Sequence, residues 1–277
     1  MIWHTIYIYC HETVKQEELM VKLKRILDKS KEKWFFIKYW HGGPHVRLRF
    51  QEQDEQFRVE LEEEIKNFFK NNKVNNVDRD VFYSFNNFDG EDVDPDTLPW
   101  YESGDYFYTE YIPEIRRYGE GNILEMNESI FHASSLLALK VFEKALSYNS
   151  RIVLAAYIIK RILSETISLD MDFLDQYQAY WKSMAGKLKK ENTQALQKIM
   201  HMVMEEQLPF SFLEENIDML IDNMIILKQE LAMDEFKYVL SSQIHMMNNR
   251  ISVTPELEYV ISKNMREYIY EKMEACR

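Results

Sequence analysis

The sequence predicts an α+β fold, an N-terminal split βαβ (ferredoxin-like) sheet packed with a C-terminal all-helical part. Short runs of β-formers alternate with helical stripes over the first third of the chain. Residues 122–277 hold one glycine, Gly186, and two prolines, Pro209 and Pro255. With so few breakers, that stretch reads as nearly all helix. The composition changes after Gly121 without a linker. Residues 1–277 are therefore expected to form a single domain, 1–121 bearing the sheet and 122–277 the helices packed against it. A cleft is then expected between the open sheet face and the helices.

Residues 2–9 (IWHTIYIY) are rich in β-formers and give the first strand. From Val14 onward, Leu19, Leu23, Ile26 and Leu27 recur at helical spacing among Lys and Glu, so a first helix ends near Lys29. Residues 34–50 (WFFIKYWHGGPHVRLRF) read as a hairpin, with β-formers to Trp40, a Gly-Gly-Pro turn and then strict alternation. That alternation sets His45, Arg47 and Arg49 on the face opposite Val46, Leu48 and Phe50. Phe57, Leu61, Ile65 and Phe68 mark a second helix, and residues 80–85 (DVFYSF) read as a fourth strand. The resulting β-α-β-β-α-β order places both helices on one sheet face and leaves the basic row on the other. Residues 89–105 hold seven carboxylates, two prolines and two glycines and no basic residue, which predicts an exposed loop. The closing glutamate of a calcium loop is missing there. Beyond it, helices are expected at 126–148, 152–169, 172–184, 193–206, 213–231, 234–249 and 255–274.

The formal net charge of −12 argues against nucleic acid as a direct partner, because such binding neutralises phosphates with Lys and Arg. Cys10 and Cys276, at opposite ends, suit neither a disulfide framework nor a zinc site. No apolar run reaches the roughly 20 residues of a membrane span, so a cytoplasmic protein is expected. Phosphate loops, the GxSxG elbow and the HExxH helix are absent, which weakens nucleotide-dependent, serine-hydrolase and metalloprotease readings.

Three groups carry chemistry. His45, Arg47 and Arg49 on one strand face can hold carboxylates through planar guanidinium forks; a solvated face is the plainer reading. In residues 111–119 (YIPEIRRYG), Pro113 and Glu114 start a short helix that Gly119 ends, and one of the adjacent Arg116 and Arg117 can join a site. In residues 245–250 (HMMNNR), His245 and Asn249 lie one turn apart, so the asparagine can orient the imidazole.

Taken together, FFIKYWHGGPHVRLRF, YIPEIRRYG followed by Glu128, Phe131 and Ser134, and HMMNNR resemble the C-terminal elimination domain of lantibiotic dehydratases. That domain also occurs as stand-alone proteins of thiopeptide-type bacteriocin biosynthesis. The resemblance spans almost the whole chain and implies a single elimination-type domain over 1–277. It implies expulsion of glutamate from glutamylated Ser or Thr of a ribosomally made precursor peptide, leaving dehydroalanine or dehydrobutyrine. By motif, the catalytic residues are Arg47, Arg49, Arg117 and His245, with His45, Lys38, Asn249 and Arg250 binding substrate. Lys38 stands where the family often has arginine, and Gly119-Glu120-Gly121 replaces a Gly-Gly pair. The implied partners are the precursor peptide with its leader and a separate tRNA-dependent glutamylation protein. A homodimer is compatible with the sequence, and neither metal nor cofactor is required.

A rival within the wider family is the pyridine synthase, which joins two dehydroalanines by a formal [4+2] cycloaddition and releases the leader. Tyr39, Tyr83 or Tyr108 can serve such a cyclase. From a different class comes a non-catalytic leader-peptide-binding subunit. The arginine and histidine matches favour elimination.

Overall fold

The computed structural model describes residues 2–52, 54–85, 94–182, 190–205 and 210–275. The chain forms two compact units, Met1–Pro113 and Glu114–Arg277. Their division falls just before the short helix of the YIPEIRRYG segment, slightly ahead of the composition change at Gly121.

In the first unit, β1 (His4–Tyr9), β2 (Trp34–Tyr39), β3 (His45–Phe50) and β4 (Tyr106–Thr109) form an antiparallel sheet in the order β2-β3-β1-β4. With α1 (Thr13–Leu27) after β1 and α2 (Glu55–Asn71) after β3, this is the ferredoxin-like arrangement. Register follows from alternation. Ile6 pairs with Leu48 and Leu48 with Phe36, and all three are fully buried. The helices cover that face, as Phe57 of α2 packs on Phe50 and Glu17 of α1 bonds Lys38. Each fully buried Leu, Ile or Phe here contributes about 1.5–3 kcal/mol.

The fourth strand is not the one the sequence suggests. Residues 80–85 belong to a helix, α3 (Arg79–Phe85), because Asp78 caps it: the Val81 N–H donates to Asp78 Oδ1 at 3.0 Å. The helical turn seats Phe82 and Tyr83 against Trp100, and the Gly42 N–H donates to the Tyr83 hydroxyl at 3.2 Å. The edge position falls to Tyr106–Thr109, beyond the acidic stretch, where Tyr7 pairs with Phe107. Residues 89–93 of the expected loop lie outside the described residues. Its later part is not all solvated, since the Tyr101 N–H donates to Gly42 O at 2.9 Å and His11 packs edge-on to Trp100.

The second unit holds α4 (Ile115–Tyr118), α5 (Asn122–Glu143), α6 (Tyr148–Ile167), α7 (Met171–Trp181), α8 (Lys190–Glu205), α9 (Glu214–Glu230), α10 (Met233–Arg250) and α11 (Pro255–Ala275). Each of the seven expected long helices is present. The first ends earlier than periodicity predicts, because Ser147 caps α6 by accepting the Ser150 N–H at 3.2 Å. Asp170 likewise caps α7 through the Phe173 N–H at 2.7 Å. Short α4 is held to this unit by Asn127 of α5, whose Nδ2 donates to Tyr118 O at 2.9 Å and whose Oδ1 accepts from Gln243 of α10 at 2.7 Å. Those bonds explain why the boundary precedes Glu114.

Candidate functional site

Each unit carries one centre. In the first, β3 sends His45, Arg47 and Arg49 to the sheet face away from α1 and α2, as alternation requires. Their cross-strand partners on that face are Tyr9 and Tyr39, Tyr7 and Ile37, and Thr5 and Phe35. The Arg47 guanidinium carbon lies 3.6 Å from the Tyr39 ring centroid and 4.5 Å from that of Tyr7, a cation held between two π faces. Arg49 lies 4.9 Å from the ring of Tyr111 and 5.3 Å from that of Phe35.

His45 is fully buried and fixes the geometry. Its Nδ1 lies 2.8 Å from Gly43 O and its Nε2 lies 3.1 Å from Arg47 Nε. A carbonyl only accepts and a guanidinium only donates, so Nδ1 carries the proton and Nε2 is the acceptor. Burial pushes the imidazole down to about 3, and the Arg47 charge adds to that effect. A neutral His45 therefore orients Arg47 and is itself sealed from any substrate. The Gly-Gly turn is required by backbone shape: Gly42 and Gly43 have φ of +81° and +109°, and a Cβ on Gly43 would come within 2.9 Å of His11 Nε2.

Lys38 does not join this row. It pairs with Val46 on the helix-covered face, and its Nζ lies 2.9 Å from Glu17 Oε1. Of the three tyrosines singled out for a cyclase, Tyr39 alone flanks Arg47. Tyr108 pairs with Ile6 toward the helix side, and Tyr83 is committed to the turn at Gly42.

In the second unit, His245 of α10 meets Glu258 of α11, with Nδ1 and Oε1 2.8 Å apart. Glu258 is fully buried, and its Oε2 accepts the hydroxyl of Tyr177 from α7. Trp181, one turn further along α7, lies over the imidazole at 4.6 Å. His245 is itself buried, at 8% exposure. Asn249 lies half-buried on the same helix, while the Nδ1 partner comes from α11. Arg250 is fully buried; its Nε donates to Ser135 Oγ at 3.1 Å, its Nη1 to Met246 O at 2.8 Å, and Phe131 lies beneath it at 5.4 Å. The arginine thus ties α10 to α5 and is shielded from a peptide. Arg117 is half-buried, paired loosely with Glu114 at 3.7 Å, and within electrostatic reach of Tyr180 and Tyr238; Arg116 is exposed. Tyr180 packs on Trp181 at 4.6 Å, which links Arg117 to the surroundings of His245.

Sequence reasoning missed Glu258, Tyr177 and Trp181. Acidic residues are expected in a first helical turn for electrostatic reasons, which hid Glu258. Tyr177 and Trp181 share an apolar stripe with Phe173 and Leu174 and read as core. Among the described residues no group of three or more His, Cys, Asp or Glu is placed to hold a metal. No helix among them is long and apolar enough to cross a membrane. The Cys10 thiol is buried and pushed up to about 12 by that burial, which makes it unreactive at neutral pH.

A ferredoxin-like sheet with a basic, aromatic-lined face, joined to an all-helical unit with a buried His-Glu pair, defines the structural class. The sequence matches the family described as "Lantibiotic biosynthesis dehydratase C-term" over residues 3–269. The chain belongs to that family, whose enzymes act on precursor peptides of ribosomal natural products. Among solved structures, the pyridine synthase TbtD from thiomuracin biosynthesis is similar at TM-score 0.69 and 11% identity, over 98% of both chains. The tRNA-dependent lantibiotic dehydratase MibB from Microbispora sp. 107891 is similar at TM-score 0.62 and 15% identity, over 100% of this chain and 29% of MibB. TsrL is similar at TM-score 0.59 and 12% identity, over 97% of this chain and 95% of TsrL. No curated protein matches the sequence.

Proposed function

We propose that the chain is a peptide-tailoring enzyme that joins two dehydroalanines of a precursor peptide by a formal [4+2] cycloaddition and releases the leader. One observation supports this above the rest: the fold is more similar to a structure titled a pyridine synthase, at TM-score 0.69, than to that of MibB, at 0.62. This order reverses the one that the sequence motifs favour.

The chemistry fits the two centres. Ring closure engages a peptide amide as its iminol, so aromatisation expels two groups, the amide oxygen as water and the leader as an amide; each loss takes a proton from the ring and returns one to the departing group. His245 is the group to move those protons, a role worth about 10² to 10⁴ in rate. Arg47 and Arg49 supply donors to peptide carbonyls, and Arg117 and Asn249 contact the peptide chain. His45 acts through Arg47, and Tyr39 through its face on the guanidinium. Dehydroalanine itself must be supplied upstream by tRNA-dependent glutamylation on a separate protein followed by loss of glutamate.

A second reading, elimination of glutamate from glutamylated Ser or Thr, is favoured by Arg47. Among the described residues no carboxylate forms an ion pair with it, so its planar fork has the chemistry to take the carboxylate of a departing glutamate. Mass spectrometry of two leader-bearing peptides separates the readings. Ring formation with leader release from a dehydrated peptide is the expected result. Loss of glutamate from a glutamylated peptide, with no action on the dehydrated one, would overturn cyclisation and establish elimination. Binding of both with unchanged mass would leave a leader-binding subunit.

A further inference from the structure

The structure assigns to Glu258 the role of positioning residue for His245, with Tyr177 sharing its carboxylate. This deepens the reading of His245 as the proton-moving group and rests on it, whichever leaving group is expelled.

The argument is one of donors and acceptors. Glu258 is fully buried on α11 and receives two partners from two other helices, the Tyr177 hydroxyl on Oε2 and His245 Nδ1 on Oε1 at 2.8 Å. An ionised carboxylate only accepts, so Nδ1 must carry its proton. That fixes the tautomer and leaves proton exchange to Nε2. It also fixes the ring plane, since Trp181 lies over one face at 4.6 Å while the carboxylate holds the edge. A buried carboxylate is costly without compensation, and two donors with one potential cation, the imidazolium, supply it. Glu258 therefore favours the imidazolium that forms whenever His245 accepts a proton. Tyr177 works in the opposite sense, because its hydroxyl satisfies half of the carboxylate and so weakens the pull on the imidazole. Burial and the Glu258 charge hold the Tyr177 phenol well above its usual range, so it stays a donor.

Other ionisable groups near α10 are otherwise engaged or placed. Arg250, on α10 itself, bonds Ser135 and Met246 O. Glu128 is buried on α5, and Arg117 on α4 is paired with Glu114. On α9, Glu214 and Asp218 face Arg161 of α6. The arrangement is not legible from motif spacing, because Glu258 lies 13 residues beyond His245 and across a helix break.

The test begins without substrate. The imidazole resonance of His245, assigned by its loss in His245→Ala, is titrated by NMR in the full chain and in Glu258→Gln, Glu258→Asp and Tyr177→Phe. An adjacent carboxylate shifts such a titration by about 1–3 pH units. Glu258→Gln should lower the midpoint by about that much, Tyr177→Phe should raise it slightly, and Glu258→Asp should stay near the parent. Turnover follows on whichever peptide proves to be substrate. Glu258→Gln should cut kcat by about 10-fold or more with KM little changed, and shift the acid limb of the pH profile downward. An unmoved midpoint in a folded Glu258→Gln, or shifts of the same sign in Glu258→Gln and Tyr177→Phe, would overturn the role. If Glu258→Gln does not fold, the Tyr177→Phe midpoint decides: a rise supports the role, and no change or a fall overturns it. A shifted midpoint with His245→Ala fully active on both peptides would instead overturn the reading of His245, leaving the dyad as a structural pair.

Discussion

The two centres hold their charge in opposite ways. Arg47 is a cation kept in place by two tyrosine faces and a neutral imidazole, so its charge is available to an incoming anion or carbonyl. Around His245 the fixed charge is a buried carboxylate with two donors aimed at it, which supports a group that gains and loses a proton. The first centre is built almost wholly within one sheet, between alternate residues of β3 and their cross-strand neighbours. The second draws on three helices, α10, α11 and the sequence-distant α7.

Removing the proton-moving group should have the larger effect. His245→Ala is expected to lower turnover about 10² to 10⁴-fold, and a loss smaller than about 10-fold would take His245 out of the chemistry. Arg47→Lys should cost about 10² to 10³-fold, because lysine keeps the charge but lacks the planar fork that the tyrosines sandwich. Both numbers come from kcat/KM on the accepted peptide, with circular dichroism to show that each variant folds. Full activity in Arg47→Lys would reduce that centre to a point charge and remove the contrast in how the two are built.

Lys38 sharpens the comparison from outside both centres. Its side chain and that of Glu17 are 11% and 10% exposed, so Lys38→Met takes the lysine cation away from a nearly buried carboxylate at a cost of about 3 kcal/mol. Urea denaturation should show that loss, and Lys38→Met with Glu17→Met should recover most of it. Turnover measured on folded protein should stay near the parent value. A selective loss of turnover would return Lys38 to the substrate-binding residues.

How much was legible follows from the same contrast. Period-two alternation in HVRLRF fixes which residues share a face, so the basic row could be read directly, as could the seven long helices from the scarcity of Gly and Pro. The edge strand could not. DVFYSF and YFYT are both β-formers, and what separates them is a single capping bond from Asp78 and pairing to β1 across nearly a hundred residues. Lys38 was misplaced because its match was to a motif and not to its strand parity, which opposes that of Arg47 and Arg49. Glu258 was invisible because nothing in its neighbourhood distinguishes it from an ordinary acidic residue of a first helical turn.

The smallest expected effect tests the neutral imidazole on which the first centre depends. In the unfolded chain His45 takes up a proton near 6.5, while in the fold it does so only near 3. Above the upper value both states are neutral and stability is indifferent to pH through this group. Between the two values the unfolded chain binds one more proton than the folded one, so stability falls as pH falls, by about 1.4 kcal/mol per unit. Urea midpoints for the parent and His45→Asn at pH 7, 6 and 5 isolate this dependence, because other groups contribute equally to both. The parent should lose stability relative to the variant across that range. Parallel curves would mean that His45 titrates normally in the fold and cannot be the acceptor for Arg47. Replacing the cation supplies the converse: Arg47→Met removes one of the influences holding the imidazole down, so the dependence should soften while burial keeps it from vanishing.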